Sequence, residues 1–149
     1  MIISEQRKFL NEELLPKWTF PPQSVVYDIG KTTDWDYGFI TIDRDKDKNP
    51  DIVLDMEKAT TPHPADGILY NGVFEQCDDP WELMRNIVKS LKPRGKILAG
   101  LASTGMAPYG RRDKWRVTKD GALAYMEDFY LDNFYIFDGY FYALGGLRA

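Results

Sequence analysis

Three short β-branched runs follow one another closely, and each closes on an aspartate: Ser24–Gly30 (SVVYDIG), Phe39–Asp43 (FITID) and Ile52–Asp55 (IVLD). Runs this short and this apolar read as buried strands of a parallel sheet rather than as helices. Core packing alone gives no reason for all three to end on an acid. A fourth strand is expected at Gly67–Asn71 and a fifth at Lys96–Leu101. Between them, Asp79-Pro80-Trp81-Glu82 has the composition of a helix start: Asp at the cap, Pro at the first position and Glu at the third. Met84, Ile87, Val88 and Leu91 continue with helical spacing until Lys92-Pro93-Arg94-Gly95 ends that helix.

The flanks fit the same architecture. Residues 4–15 read as a helix capped by Ser4, with Phe9, Leu10 and Leu14 on one face and Pro16 as its stop; the loop Lys17–Gln23 follows. Thr118 caps another helix, expected to present Leu123, Met126, Phe129 and Tyr130. Phe134–Phe137 and Tyr140–Leu144 flank Asp138-Gly139, a two-residue hairpin signal. The order predicts a three-layer, Rossmann-like α/β fold with a mostly parallel sheet and a C-terminal antiparallel hairpin. One domain spans 1–149: the helix and loop of 1–23, then a core over 24–144.

Composition narrows the function classes. The formal net charge is −4, so no strong attraction to nucleic acid is expected. One Cys and one His make neither an internal disulfide nor a structural zinc site, and no metal is expected. A reducing, cytoplasmic compartment is the simplest reading. No apolar stretch approaches the roughly 20 residues of a membrane span, and the first residues lack a basic-then-apolar leader.

In open parallel sheets, ligands sit outside the carboxyl ends of the strands, where strand order reverses. Asp28, Gly30, Asp43, Asp55 and Asn71 fall at such ends. A carboxylate after the second strand suits a ribose diol, because it accepts two hydroxyl hydrogen bonds at once. The plainer alternative is that each Asp starts a turn. Gly30-Lys31-Thr32 looks like the end of a phosphate-binding loop, but the required first glycine would be Val25. Asp43, Asp45, Asp47 and Asn49 alternate like calcium ligands, yet the glycine and final acid of such a loop are missing, so a solvated turn is expected. His63 reads as a loop residue and Cys77 as a small packed side chain. The loop Ser103–Val117 gathers Tyr109, Arg111, Arg112, Lys114 and Trp115, which suits a sugar-phosphate, nucleotide or carboxylate acceptor. Trp115 and Arg116 serve equally well as pegs that pack the loop down.

Three ordered segments carry a family resemblance. Ala65–Pro80 (ADGILYNGVFEQCDDP) is similar to the fourth strand and "vlEHv-x-dP" segment of the class I S-adenosylmethionine-dependent methyltransferases, type 11 domains in particular, with Gln76 where His is common. Leu83–Gly95 resembles their "LKPGG" helix and turn, with Arg94 in place of the first glycine. Asp113–Leu123 (DKWRVTKDGAL) resembles their "DYWRFTxxGL" segment. The resemblance covers roughly 24–144.

It implies S-adenosylmethionine as cofactor, S-adenosylhomocysteine as product and a small-molecule or sugar-like acceptor. Asp28, Ile29 and Gly30 would face the methionine end, Asp43 the ribose, and Arg44 the adenosine. Asp55 and Met56 would flank the adenine, with Asn71, Gly72 and Val73 beneath the sulfonium. Tyr109, Arg111, Arg112 and Trp115 would meet the acceptor. His63 and Glu75 are the available bases if the acceptor is a hydroxyl.

The sequence departs from the family at its glycine motif, where Lys31, Thr32 and Thr33 follow Gly30. Only Gly30–Gly38 separates the first two strands, and Arg44–Asp51 the next two, so both crossover helices are expected to be cut short or absent. A second reading follows: a module of the same fold that no longer catalyses and serves binding or assembly. Thin cover on the sheet also implies self-association, as in a homodimer.

Overall fold

The computed structural model describes residues 5–30, 37–106 and 113–148. Its centre is a seven-stranded sheet of order β3-β2-β1-β4-β5-β7-β6. The strands are β1 (Val26–Ile29), β2 (Ile40–Asp43), β3 (Ile52–Val53), β4 (Ala65–Asn71), β5 (Leu91–Ala102), β6 (Phe129–Phe137) and β7 (Tyr140–Leu147). β1 pairs in parallel with both β2 (Tyr27 opposite Ile40) and β4 (Tyr27 opposite Ile68). The chain therefore runs outward from β1 through β2 to β3, then returns to start again at β4. That reversal opens a crevice above the ends of β1 and β4. β7 is antiparallel to both β5 and β6, so the expected mostly parallel sheet with a terminal hairpin is what forms.

Local chemistry explains the elements. Asp79 caps helix α2 (Pro80–Ser90) by accepting the Glu82 N–H at 3.1 Å, and Pro80 takes the first position, where no donor is needed. Asp138 and Gly139 both have positive φ (46° and 84°), the geometry of a two-residue turn whose twist matches its strands. Thr118 caps helix α3 (Lys119–Tyr125) through the Gly121 N–H at 3.0 Å.

Two cores flank the sheet. Leu83, Met84 and Ile87 of α2 and Ala122 and Tyr125 of α3 pack with Tyr27, Ile68, Tyr70 and Ile97 on one face. The N-terminal segment covers the other, burying Leu10, Leu14, Leu15 and Trp18 against Val26, Leu69, Leu98 and Tyr142. It is not one regular helix: α1 (Glu5–Phe9) widens into a π turn over Leu10–Leu14, then tightens into a 3-10 turn, Leu15–Lys17. Pro16 sits within that last turn rather than ending the helix before it. The buried Asn11 side chain, within the widened stretch, donates back to Arg7 O of α1 at 2.8 Å.

Several boundaries differ from the sequence reading. Phe129 and Tyr130 belong to β6, not α3: they pair with Leu147 and Gly146. β7 admits them because a Cβ at Gly145 would lie 2.0 Å from Tyr130 O. Leu91 opens β5 instead of closing α2, and Lys92–Gly95 loops out between the pairs Ala65–Leu91 and Gly67–Lys96. β3 is only two residues, leaving Asp55 in the turn beyond it. Arg44–Asp51 holds a single 3-10 turn, Lys46–Lys48, and Leu54–Pro64 holds no helix. Most of the β1–β2 connection lies outside the described residues, and with it the expectation of a shortened first helix.

Candidate functional site

A cavity of about 170 Å³ opens at the carboxyl ends of β1, β2 and β4. Ile29, Gly30, Asp43, Arg44, Asp55, Met56, Gly72 and Val73 line it, each of them assigned to the cofactor by the resemblance. Gly30 and Gly72 take positive φ (86° and 70°) where the chain turns off β1 and β4, so the backbone itself forms part of the wall. Gly30 N–H donates to Ile42 O at 2.7 Å and Gly72 N–H to Gly100 O at 3.1 Å, which fixes both turns to neighbouring strands. Ile42, Leu54, Met56, Cys77 and Leu83 supply apolar surface. The Asn86 amide holds Met56 in place, donating to its main-chain oxygen at 2.7 Å.

Asp43 closes β2 almost fully buried. Its Oδ1 accepts the Asp45 N–H at 2.8 Å and its Oδ2 lies 3.5 Å from Lys48 Nζ. A carboxylate has about four acceptor positions, so capacity for two hydroxyls remains. Lys48 is more than half exposed. Asp45, Asp47 and Lys48 form the solvated turn expected of that segment, with Asp45 Oδ1 accepting the Asp47 N–H at 3.0 Å. Asp55 also acts as a turn residue, its Oδ1 accepting the Glu57 N–H at 3.0 Å.

Glu57 is the residue that sequence reasoning missed. Its Oε1 accepts the Asp79 N–H at 2.6 Å and its Oε2 lies 3.4 Å from Arg44 Nη1. One carboxylate thus orients Arg44 and ties the β3–β4 connection to the start of α2. The only signal in the sequence was its position two residues after Asp55. Lys48 and Gln76 also line the cavity unassigned.

Asp28 and Asn71 stand apart from the rest and do not line the cavity. Alternation along a strand turns them to the face opposite Ile29 and Tyr70. Asp28 is fully buried, and Asn71 Oδ1 is buried with no hydrogen-bond partner.

His63 precedes β4, at the opposite end of the sheet from the cavity, where its main-chain oxygen accepts from Thr61 Oγ1 at 2.7 Å. A seven-residue strand places it roughly 20 Å away, so it cannot serve a reaction there. Cys77 is buried, and burial pushes its thiol up to about 12, so it stays protonated at neutral pH rather than acting as a nucleophile. Burial likewise pushes the Glu75 carboxyl up to about 7.

The segment after β5 is pinned down. The Trp115 indole donates to Cys77 O at 2.7 Å, Lys114 pairs with Asp78, and Arg116 grips Asp113 with both terminal nitrogens. Trp115 and Arg116 therefore act as pegs, although two-fifths of the Trp115 surface stays exposed. Tyr109, Arg111 and Arg112 lie outside the described residues. Among the described residues, no group of three metal-ligating side chains forms, and no helix is long and apolar enough to cross a membrane.

A sheet of this order, with a cavity at its reversal point, defines the class I methyltransferase fold. Residues 28–99 match the model of a family described as a methyltransferase domain. No curated protein matches the chain significantly in sequence. Among solved structures, the N-methyltransferase NodS from Bradyrhizobium japonicum WM9, in complex with S-adenosylhomocysteine, superposes with TM-score 0.63 at 16% identity, over 85% of this chain and 79% of that one. The 1,6-didemethyltoxoflavin-N1-methyltransferase of Burkholderia thailandensis gives 0.65 at 13% identity, covering 85% and 72%. A SAM-dependent methyltransferase from Aquifex aeolicus gives 0.64 at 14% identity, covering 97% and 94%. The resemblance read from the sequence is borne out: residues 28–99 match the methyltransferase-domain model, and the sheet has the Rossmann-like architecture of those solved methyltransferases.

Proposed function

We propose that the chain binds S-adenosylmethionine in the cavity above β1, β2 and β4 and transfers its methyl group to a small-molecule or sugar-like acceptor. One observation carries this reading: the eight lining residues that the resemblance assigns to the cofactor converge on one cavity, from four separate stretches of chain. Asp43 would accept from the ribose hydroxyls, and Met56, Leu54 and Ile42 would enclose the adenine. Arg44, oriented by Glu57, would stand at the adenosine edge. The bare Gly72 backbone suits the polar, cationic end of the ligand. The cofactor supplies a methyl carbon already activated by the sulfonium charge. The protein's part is then to align an acceptor with that carbon and keep water out.

A small acceptor is supported by the Burkholderia relative, crystallised with 1,6-didemethyltoxoflavin and S-adenosylhomocysteine. The exposed edge residue Val53 supports self-association, and the buried free thiol suits a reducing compartment. Calorimetric titration with S-adenosylhomocysteine tests the reading without knowledge of the acceptor. Micromolar binding is expected. The second reading, a module that no longer catalyses, draws on Lys31-Thr32-Thr33 after Gly30 and on the short β2–β3 and β3–β4 connections; it requires no heat and no thermal shift at millimolar ligand.

A further inference from the structure

Glu75 joins two parts of the site while fully buried. It lies in the 3-10 turn Phe74–Gln76, whose neighbours Val73, Gln76 and Cys77 line the cavity. Its Oε1 accepts the Ala102 N–H at 2.5 Å, at the end of β5. Its main-chain oxygen accepts the N–H groups of Lys114 and Trp115 at 2.6 and 3.2 Å. The segment 113–117 therefore rests on the cavity-lining turn through this one residue, reinforced by Trp115 Nε1 on Cys77 O. Glu75 Oε2, in contrast, is buried with no partner.

A carboxyl placed this way has two unequal states. The contact of Oε1 with Ala102 survives in both, but ionisation puts charge on an oxygen that no donor reaches, which burial penalises. The ionisable groups facing it are Arg116 and Asp113 from the 113–117 segment, Tyr70 from β4, Tyr125 from α3, and Cys77. Arg116 is engaged with Asp113 and with Met106 O. Burial raises Tyr70, Tyr125 and Cys77 alike, so all three stay neutral near pH 7. The closed arrangement thus favours a neutral Glu75, and an open one, with the carboxylate in water, favours the ion.

We propose that Glu75 is a positioning residue of the methyl-transfer site: neutral, its buried carboxyl lets the 113–117 segment stay closed over the cavity-lining turn, and ionised, it drives release of that segment so that water reaches the carboxylate. Any effect on ligand binding rests on the cavity being the cofactor site, whereas the release itself does not. Hydrogen exchange at the Lys114 and Trp115 amides, corrected for intrinsic pH dependence, reads the release directly. Their protection is expected to fall between about pH 4.5 and pH 7, by up to about tenfold per pH unit, the limit for one linked proton, and to level off above that range. Glu75→Gln is expected to abolish that fall. Affinity for S-adenosylhomocysteine should decline over the same range in the parent protein and not in the variant.

Protection that is flat with pH in the parent, or that falls equally in the variant, overturns the proposal. Absence of S-adenosylhomocysteine binding at every pH, with the exchange pattern as expected, sinks the cofactor reading alone. If Glu75→Gln does not fold, ¹³C-carboxyl titration of Glu75 in the parent decides. A midpoint near 7 supports the proposal, and one in the ordinary carboxylate range overturns it.

Discussion

The side-chain oxygen of Asn71 occupies the space that a Cβ on Gly100 would need, 2.1 Å from where that carbon would be built. The β4 end is thus seated on a bare stretch of β5. Gly100→Ala is expected to destabilise the protein by about 1–3 kcal/mol through overpacking. In an Asn71→Ala background, the cost of the same change should shrink, because the two sites share one space. Urea unfolding of the four proteins measures both effects. Additive losses would show that the pair does not compete.

Asp43→Ala should weaken S-adenosylhomocysteine by about 1–3 kcal/mol, tenfold or more, if the carboxylate holds the ribose. Calorimetry measures this, with circular dichroism to confirm that the β2–β3 turn survives loss of the Asp45 contact. Unchanged affinity would remove Asp43 from the site.

Glu75 also sets a pH dependence of global stability. Its folded value near 7 lies above the ordinary 4.5, so the native state holds this proton more tightly than the unfolded chain. The associated stability is fully present below about pH 4.5 and is lost as pH rises to about 7, by about 3 kcal/mol at most. Denaturant titrations across that range should show the slope in the parent and lack this component in Glu75→Gln.

Arg94 holds a positive φ of 62° in the loop-out of β5, at the position where the related "LKPGG" turn has glycine. The strain of a side chain in that conformation exceeds the entropy cost of glycine. Arg94→Gly should therefore stabilise the protein by up to about 1 kcal/mol, seen as a raised melting temperature.

What the chain made legible depended on how local the cause was. The Asp79-Pro80 helix start and the Asp138-Gly139 turn are short-range chemistry, and both appear where their residues stand. The strand-end acids located the crevice, but period-two alternation in β1 and β4 sends Asp28 and Asn71 to the opposite face from the cavity. Phe129 and Tyr130 continue the spacing of α3 by coincidence across a turn, and only their partners in β7 show them to be strand. Glu57 was invisible because Arg44 and the Asp79 N–H, which give it its role, come from separate elements. His63, attractive as the lone imidazole, lies at the wrong end of β4, and chemical identity alone says nothing of that.

The N-terminal cover has a consequence for how the molecule is made. Phe9 stacks on Phe137 at 4.3 Å, and Gln6 O accepts from Tyr142. The Glu5–Lys17 segment therefore waits for the β6–β7 hairpin before it can complete the burial of Leu10 and Leu14. Contacts of such sequence separation slow folding and leave apolar surface open in the interim. The growing chain cannot finish one face of its sheet until the β6–β7 hairpin has been made, and during that interval its β1–β4 surface depends on dilution or a chaperone to stay unpaired.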